Sequence, residues 1–384
     1  MDRIKEYLEK KESESLLRHL NPASSRSDGY ISIRGKKYLD FSSNDYLGLS
    51  AHPYIKNKAK KAIEDFGVGS SASRLLSGDL ELFHNLQEDL AHFKSKKCAL
   101  VFNSGYQLNV GVIPALCSKG DVIFSDKLNH ASIIDGILLS GADFFRFKHN
   151  DPNHLKSLLE AKRSNYKNAL IITETVFSMD GDKPPLYDLV ELKKDYNCNI
   201  MVDEAHATGV FGKKGAGVVE ELGFSNEIDL IMGTFSKALG SFGGYAACSK
   251  EMVEYLINSC RSFIYTTALP PSIIAANIAA IELVKKEPYR REQLIDNANY
   301  FRKRLTSNGY DVKGSSQIVP VIIGDSKEAQ RISHKLRERG HWVLPIRPPT
   351  VPNQSARLRF SLTYYHSKDI LDGVLNDIFN VYKK

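Results

Sequence analysis

The chain has 384 residues, of which 42% are hydrophobic and 25% charged, and it carries a formal net charge of +7. This composition excludes wholesale disorder, and a chain of this length buries a sizeable core without disulfides or structural metals. The densest Lys and Arg runs lie in helical patterns and form no basic arm, so we expect no nucleic-acid binding. The basic excess still favours an acidic or phosphorylated substrate.

Compartment and membrane association can be judged from the cysteines and the apolar runs. The five cysteines show no Cys-x-x-Cys spacing, so we expect buried reduced thiols and neither disulfides nor a metal site. The first ten residues have the pattern of a charged amphipathic helix and not of a signal peptide. No apolar run approaches the ~20 residues that span a bilayer. These features predict a cytoplasmic protein with no membrane association.

The predicted elements fall into three regions, at 1–40, 41–283 and 284–384. The first contains a helix over 1–20, a loop over 21–29 and most of a small hairpin that ends at residue 41. The second, a large domain, alternates between helical patterns and short apolar runs. The third is predicted to be a smaller α+β domain with helices at 289–307, at 326–339 and from 368, and strands at 318–323, near 342–344 and at 357–362.

The short apolar runs of the large domain predict its sheet. Runs of this length separated by helices are typical of largely parallel strands buried on both faces, which indicates an α/β fold. Such sheets bind ligands beyond the carboxyl ends of their strands, so the side chains that follow each run are candidates for a functional site. The five runs are 99–102, 121–124, 169–173, 199–203 and 230–233.

Two of these strand ends carry a lysine, a carboxylate and a histidine. Asp203 ends one run, His206 follows three residues later, and Lys237 follows the next run among small and hydroxylated residues. This set suits a pyridoxal phosphate enzyme, because the lysine can form a Schiff base and the carboxylate can hold the pyridine nitrogen protonated. A single such lysine is most often a surface turn residue, and a single aspartate is often a helix cap. The three together favour the cofactor site.

Four motifs resemble those of the α-oxoamine synthases, fold-type-I pyridoxal phosphate enzymes that condense an amino acid with an acyl thioester. They occupy residues 41–49, 176–182, 202–209 and 234–240, and the resemblance extends over essentially the whole chain. It implies a large pyridoxal phosphate-binding domain with a mostly parallel sheet, a smaller α+β C-terminal domain, and a homodimer. The segment at 346–352 is similar to that of members that use L-alanine and a pimeloyl thioester, carried on coenzyme A or acyl carrier protein.

The resemblance implies roles around the cofactor ring. Lys237 would carry the Schiff base and then act as the base that removes the Cα proton, while Asp203 would pair with the pyridine nitrogen. His206 and Ser178 would lie near the phenolic oxygen of the ring. His130 matches the family histidine that stacks on the ring face, next to the substrate.

The phosphate of the cofactor is expected to bind backbone and hydroxyl groups. Gly105 and Tyr106 precede a helical stretch, so their N–H groups can point at a phosphate from a helix N-terminus. The hydroxyls of Thr234 and Ser236 would join them. The resemblance implies that the neighbouring subunit completes this site, so that the homodimer would share its active sites, through Thr266 and Thr267.

Substrate recognition is also implied by the resemblance. Arg359 matches the arginine that clamps the amino acid carboxylate, a bidentate task suited to guanidinium, and Asn44 would assist it. Three residues match positions associated with the acyl thioester: Arg18, Arg347 and Thr350. The loop at 67–78 departs from the glycine-denser form common in the family, so the sequence leaves open whether Arg74 and Ser77 shape the loop or contact a ligand.

Two alternatives remain open from sequence. The first is the same chemistry with glycine, giving 2-amino-3-oxobutyrate from acetyl-CoA or 5-aminolevulinate from succinyl-CoA. The second is a non-catalytic binding or regulatory protein built on the pyridoxal phosphate fold, but regulators of that kind need a DNA-reading module and the first ~40 residues contain no helix-turn-helix pattern. The sequence does not distinguish coenzyme A from acyl carrier protein as the acyl donor.

Overall fold

The computed structural model describes residues 2–14 and 16–383. The helices are α1 (Asp2–Ser13), α2 (Pro53–Phe66), α3 (Glu81–Lys94), α4 (Gly105–Leu116), α5 (Ala131–Ser140), α6 (Pro152–Lys162), α7 (Leu186–Asp195), α8 (Val218–Leu222), α9 (Lys250–Ser259), α10 (Arg261–Ile264), α11 (Pro271–Lys286), α12 (Tyr289–Ser307), α13 (Ser326–Glu338) and α14 (Lys368–Val381). The strands are β1 (Ala23–Ser27), β2 (Tyr30–Ile33), β3 (Lys36–Asp40), β4 (Cys98–Phe102), β5 (Val122–Asp126), β6 (Asp143–Phe147), β7 (Ala169–Glu174), β8 (Asn199–Asp203), β9 (Leu230–Thr234), β10 (Gly244–Cys248), β11 (Ile318–Gly324), β12 (His341–Trp342), β13 (Pro345–Ile346) and β14 (Ala356–Ser361).

The chain forms two compact units, each with its own sheet structure. The smaller unit comprises Met1–Gly48, Met179–Asp182 and Glu292–Lys384, and the larger one comprises Leu49–Ser178 and Lys183–Arg291. None of the helices in the described ranges is both long enough and apolar enough to cross a membrane.

The larger unit is built on a seven-stranded sheet in the order β4-β10-β9-β8-β7-β5-β6. The strands from β9 through β6 run parallel, whereas β10 is antiparallel to both of its neighbours. The predicted α/β fold with a mostly parallel sheet is confirmed, and all five predicted apolar runs are strands. The prediction missed β6, which is mostly exposed at the sheet edge, and β10, whose small residues resemble a loop.

The core of the larger unit explains why its strands are continuous apolar runs. Helices α4 and α5 pack on one face of the sheet through Val112, Ile133 and Ile137, all fully buried, against strand residues such as Ile172 and Met201. A strand covered in this way buries its side chains on both faces. Polar side chains are therefore tolerated mainly beyond its carboxyl end, where the chain leaves the core. The chemistry-bearing residues are therefore concentrated at the strand ends.

The smaller unit contains a four-stranded sheet in the order β1-β2-β3-β12 and a three-stranded sheet in the order β11-β14-β13. The predicted hairpin is present as β2 and β3. The loop predicted over 21–29 is wrong at its centre, because β1 pairs there with β2 through backbone hydrogen bonds although all five of its residues are exposed. The predicted helix over 1–20 ends at Ser13, and Ser15 lies outside the described residues.

An aromatic cluster organises the smaller unit. Phe360 on β14 packs against Phe41 and Phe301, with ring centroids 5.3 Å away in both cases, and all three are fully buried. The Ser361 N–H also donates to the Phe41 carbonyl at 2.9 Å. These contacts hold the segment after β3 against β14, so residues more than 300 positions apart in sequence can form one side-chain cluster.

Candidate active site

A cavity of about 240 Å³ opens in the larger unit at the carboxyl ends of β5, β7, β8 and β9. Of the eleven residues predicted to bind the cofactor, eight line this cavity: Gly105, Tyr106, His130, Asp203, His206, Thr234, Ser236 and Lys237. The remaining three are outside its lining: Ser178, Thr266 and Thr267.

Lys237 and His206 contact each other across the cavity. The Lys237 Nζ atom lies 2.8 Å from His206 Nε2. Lys237 belongs to the tight loop between β9 and β10, which also contains Gly240. Gly240 has φ 63°, and a Cβ added to it would lie 2.3 Å from the main-chain nitrogen of Ser50. A side chain at position 240 would push the loop outwards and move the amine. The close packing of this turn therefore positions Lys237.

Asp203 ends β8 and is 5% exposed. One carboxylate oxygen accepts from the Ala205 N–H at 2.8 Å, and the other accepts from the Asn109 side-chain amide at 3.3 Å. These two donors fix the orientation of the carboxylate at the cavity wall. A carboxylate held in this way can pair with a cationic ring nitrogen.

His130 begins α5 as its N-cap. Its Nδ1 accepts from the Ser132 N–H at 3.2 Å and lies 2.8 Å from the Ser132 hydroxyl. Desolvation by the surrounding protein lowers the pKa of His130, the charge of Lys237 lowers it further, and Asp203 acts in the opposite direction. The ring is therefore neutral at neutral pH, and because Nδ1 accepts a hydrogen bond its proton belongs on Nε2. A neutral ring can stack on a cofactor without adding charge.

The N-terminus of α4 forms one end of the cavity. Ser104 caps the helix by accepting from the Gln107 N–H at 3.1 Å, and the two residues before Gln107, Gly105 and Tyr106, line the cavity. Gly244 on β10 permits this approach, because a Cβ there would lie 2.9 Å from the Gly105 nitrogen. This is a cradle of the kind that binds phosphate groups.

The hydroxyls beside this cradle are already partly paired within their loop. Thr234 Oγ1 lies 2.7 Å from the Gly243 carbonyl and 2.9 Å from the Ser236 hydroxyl, and it accepts from the Ser236 N–H at 3.1 Å. A threonine hydroxyl has one proton, so Thr234 can donate to only one acceptor at a time. Thr234 consequently fixes the loop, and the exposed Ser236 is the freer of the two to meet a ligand.

The cavity fits pyridoxal phosphate by the chemistry of its donors and acceptors. It offers one amine, one oriented carboxylate, a helix N-terminus with adjacent hydroxyls, and two imidazoles. Within residues 2–14 and 16–383, no group of three or more His, Cys, Asp or Glu side chains is arranged to hold a metal ion. Lys237, Asp203 and the first turn of α4 would hold the aldehyde carbon, the ring nitrogen and the phosphate respectively.

Three predicted cofactor residues lie elsewhere in the larger unit. The Asn103 side chain donates to the Thr266 hydroxyl at 3.1 Å and to the Thr267 carbonyl at 2.8 Å. Both threonines are therefore held by Asn103, and neither lines the cavity of its own chain. Ser178 is at the end of the segment after β7, outside the cavity lining.

The smaller unit brings together Arg359 and Asn44. Both terminal nitrogens of Arg359 lie 3.3 Å from the Asn44 side-chain oxygen. Nη2 also donates to the Tyr46 hydroxyl at 3.4 Å, and Nη1 donates to the Ser361 hydroxyl. Arg359 is only 8% exposed and Tyr46 is fully buried. Burial raises the pKa of Tyr46, and this outweighs the opposing charge of Arg359, so the hydroxyl stays protonated. Sequence reasoning missed Tyr46, although it falls inside the motif at 41–49.

The predicted acyl-thioester residues also come together in the smaller unit. Arg18 donates to the Thr350 hydroxyl at 3.2 Å, and Arg18 and Arg347 line one cleft of about 980 Å³. Burial and the neighbouring charge of Arg18 lower the pKa of Arg347. Two guanidinium groups that line one cleft favour an anionic ligand.

The cavity wall of the larger unit includes residues that the sequence did not single out: Ser104, Asn109, Ser132, Glu174, Ala205 and Met232. The sequence contains a signal for Glu174, because this residue directly follows the apolar run at 169–173 and such positions are candidates for a functional site. Asn109 had none, because an asparagine within a helical pattern is indistinguishable from a surface residue until the helix is packed.

A buried ion pair supports the loop that follows Asp203. Lys94 Nζ lies 2.7 Å from a Glu204 oxygen and 3.0 Å from the Thr208 hydroxyl, and the other Glu204 oxygen accepts from the Val219 N–H at 2.9 Å. Burial acts to lower the pKa of Lys94, but Glu204 and Tyr245 outweigh it and raise the pKa. Lys94 therefore stays charged, and its ion pair with Glu204 anchors the turn between Asp203 and His206.

Removing the lysine of this pair should destabilise the larger unit. We expect Lys94→Met to lower the free energy of unfolding by about 3–5 kcal/mol, because Glu204 is left charged and buried without its partner. Denaturant-induced unfolding followed by circular dichroism measures the loss. The matched control is Lys194→Met, which breaks a 3.0 Å surface pair with Glu191 and should cost less than about 1 kcal/mol. Equal effects of the two variants would contradict the anchoring role.

Comparison with known protein families gives the same class of protein as the fold and the cavity. The model for aminotransferase class I and II matches residues 36–378. The chain therefore belongs to the class I and II aminotransferase family.

Within that family, the similar proteins point to acyl transfer. The 8-amino-7-oxononanoate synthases of Geotalea daltonii and Citrifermentans bemidjiense are 46% and 47% identical to the chain; the alignments cover 100% of it and 98% and 99% of those proteins. A solved serine palmitoyltransferase from S. paucimobilis, with bound PLP (pyridoxal phosphate), has a TM-score of 0.94 at 30% identity, covering 99% of this chain and 96% of that one. The resemblance to the α-oxoamine synthases is confirmed.

Proposed function

We propose that this chain catalyses the decarboxylative condensation of L-alanine with a pimeloyl thioester, the reaction that gives 8-amino-7-oxononanoate for biotin synthesis. The proposal rests on the cavity at the strand ends, which Lys237, Asp203 and His206 line together. The identity of 46–47% to 8-amino-7-oxononanoate synthases over the whole chain supports the choice of substrates.

Pyridoxal phosphate, when bound, would supply an electron-withdrawing ring that stabilises negative charge at the substrate Cα. Asp203 keeps the ring nitrogen protonated, since its carboxylate is oriented by Asn109 and Ala205. His130 covers a ring face as a neutral imidazole. The first turn of α4, with Ser236, binds the phosphate and so fixes the cofactor relative to Lys237.

Lys237 has two tasks, which are covalent attachment of the cofactor and proton transfer at the substrate Cα. Its amine lies within hydrogen-bond distance of His206, at 2.8 Å, so His206 can orient the amine and exchange a proton with it. With the cofactor and the amino acid bound, Lys237 Nζ would take the Cα proton of the substrate. It returns a proton to carbon after carbon dioxide has left.

The carboxylate of alanine binds to Arg359, whose guanidinium is already oriented by Asn44 and Tyr46. A preorganised guanidinium can accept a carboxylate in a bidentate manner with little entropic cost. Arg18, Arg347 and Thr350 bind the anionic acyl thioester. Coenzyme A and acyl carrier protein both carry the phosphate groups that such a cleft would attract.

Arg359→Lys should weaken the binding of alanine and leave the binding of the thioester unchanged. We expect the KM for alanine to rise about 10- to 100-fold, because lysine keeps the charge but loses the bidentate geometry, while the KM for pimeloyl-CoA stays within about 2-fold. Steady-state kinetics with each substrate varied in turn provides the measurement. Arg339→Lys, on an exposed residue paired with Asp377, is the control and should leave both constants unchanged. A rise in the thioester KM alone would contradict the assignment.

Two rival substrate choices are tested with the unmodified enzyme. Glycine-using relatives perform the same chemistry with acetyl- or succinyl-CoA, and the structural similarity to a serine palmitoyltransferase raises serine with palmitoyl-CoA as a further candidate. Each amino acid is titrated against the absorbance of the bound cofactor, and carbon dioxide release is measured with each thioester on coenzyme A and on acyl carrier protein. We expect alanine to perturb the spectrum at the lowest concentration. Saturation by glycine or serine at lower concentration would reject the alanine assignment.

The enzyme acts as a homodimer in which Thr266 and Thr267 of each chain complete the phosphate site of the other. In their own chain both threonines accept hydrogen bonds from Asn103 and neither lines the cavity, which supports this arrangement. All five cysteines are free thiols, and burial raises the pKa of Cys117 and of Cys248 to about 12. Unreactive reduced thiols support a cytoplasmic location.

A further inference from the structure

A second carboxyl group lies beside Asp203 in the cofactor cavity. Glu174 is the last residue of β7 and pairs in register with Asp203, the last residue of β8. Residues paired across neighbouring strands project to the same face of a sheet, and both side chains line the cavity. Glu174 is 3% exposed, so two carboxyl groups are buried together at this wall.

The hydrogen bonds of Glu174 leave one of its oxygens unused. The main-chain N–H of His130 is bonded to the carboxyl group, whereas Oε1 is buried and has no donor partner anywhere in residues 2–14 and 16–383. If Glu174 were ionised, one buried oxygen of its carboxylate would lack a hydrogen-bond donor, which is unfavourable in free energy. A protonated carboxyl group would instead have a hydrogen to donate.

The charged groups around Glu174 also disfavour its ionisation. Burial raises the pKa of Glu174 well above its usual value, and the charges of Asp203 and Asp126 raise it further. Lys237 and the His130 N–H act in the opposite direction but are outweighed. Lys237 is moreover the residue that becomes attached to the cofactor, so its ammonium charge is not permanently available to Glu174.

We propose that Glu174 is held as a neutral carboxylic acid that donates its proton in a hydrogen bond to Asp203. This inference rests on the proposed binding of pyridoxal phosphate in this cavity. Two adjacent buried carboxyl groups share a single negative charge, since ionising both places like charges in a site of low polarity. The pair then presents one negative charge to one protonated ring nitrogen. Glu174 acts through Asp203 and is a positioning residue.

Two variants separate this role from a merely structural one. Glu174→Gln keeps a neutral side chain with a donor of the same length, whereas Glu174→Met keeps the length but has no donor. We expect Glu174→Gln to bind pyridoxal phosphate within about 3-fold of the unmodified enzyme and Glu174→Met to bind it about 10-fold more weakly. Similar affinity of Glu174→Met and the unmodified enzyme would overturn the hydrogen bond to Asp203. A 10-fold loss in Glu174→Gln would overturn the neutral state.

Two spectroscopic measurements test the charge state directly. The absorbance of the lysine-bound cofactor is titrated between about pH 6 and 9, where the curves of the unmodified enzyme and Glu174→Gln should superimpose. An extra transition that Glu174→Gln removes would show that Glu174 ionises in this range. Infrared spectra of the cofactor-free protein should contain a carbonyl band of a protonated carboxylic acid that Glu174→Gln lacks, and the absence of that band would overturn the proposal.

These results are distinguishable from a failure of the proposed function. None of the three readouts requires an acyl substrate, so a wrong choice of amino acid or thioester leaves them unchanged. Borohydride reduction followed by peptide mass spectrometry determines whether the cofactor is attached to Lys237. Attachment elsewhere would reject the cofactor site itself, whereas attachment to Lys237 with an ionised Glu174 would reject only the inference about Glu174.

Discussion

Lys237→Ala is expected to abolish covalent attachment of the cofactor and to lower kcat by about a thousandfold or more. The variant loses both the nucleophile that holds pyridoxal phosphate and the base that moves the Cα proton, and a general base alone contributes about 10²- to 10⁴-fold. The visible absorbance of the lysine-bound cofactor should disappear, and borohydride should no longer fix the cofactor to the protein.

The control for Lys237→Ala is Lys250→Ala, which removes a lysine from the first turn of α9 where its side chain is 73% exposed. That variant should keep the absorbance and the turnover of the unmodified enzyme. Because Lys237 is only half-buried and its packing neighbours Ala238 and Leu239 remain, the fold should survive its loss. A Lys237→Ala protein that retains the cofactor band and full turnover would refute the assignment of the site.

Asp203→Asn is expected to have the second largest effect. The substitution keeps the size of the side chain but removes the negative charge that pairs with the ring nitrogen, so kcat should fall about 10²- to 10³-fold. The affinity for pyridoxal phosphate should also fall, and the absorbance of the bound cofactor should shift because the ring nitrogen loses its proton. Absorption spectra at several cofactor concentrations measure both changes.

Asp188→Asn is the matched control for this charge change, since Asp188 is exposed in the first turn of α7. It should leave the spectrum and the rate unchanged. If Asp203→Asn bound the cofactor with unaltered affinity and spectrum, Asp203 would not be the partner of the ring nitrogen, and the orientation of the cofactor in the cavity would have to be revised.

The sequence predicted the parts of the fold that depend on local patterns. The five apolar runs became β4, β5, β7, β8 and β9, because a strand buried on both faces must be apolar along its length. Strands β1 and β6 escaped prediction for the same reason, since most of their side chains lie outside the core. Their positions are determined by pairing with neighbouring strands, which no local pattern reports.

The candidate site was predictable to the extent that its residues follow strands. Lys237, Asp203 and His206 were found from their positions after two runs, and the structure brings them to one cavity. The cluster of Arg359 and Asn44 joins positions 315 residues apart and could be anticipated only from a family resemblance. Glu174 could be marked as a candidate because it ends a strand. Its proposed protonation depends on Asp203 on the neighbouring strand, and sequence spacing does not reveal such a neighbour.

Product analysis is the most direct test of whether this chain joins alanine to a pimeloyl thioester. The purified protein is supplied with pyridoxal phosphate, pimeloyl-CoA and equal concentrations of alanine, glycine and serine, and the products are identified by mass spectrometry. We expect 8-amino-7-oxononanoate as the main product, with release of one carbon dioxide for each molecule formed. A main product derived from glycine or serine, or no condensation with pimeloyl thioesters on either carrier, would contradict it.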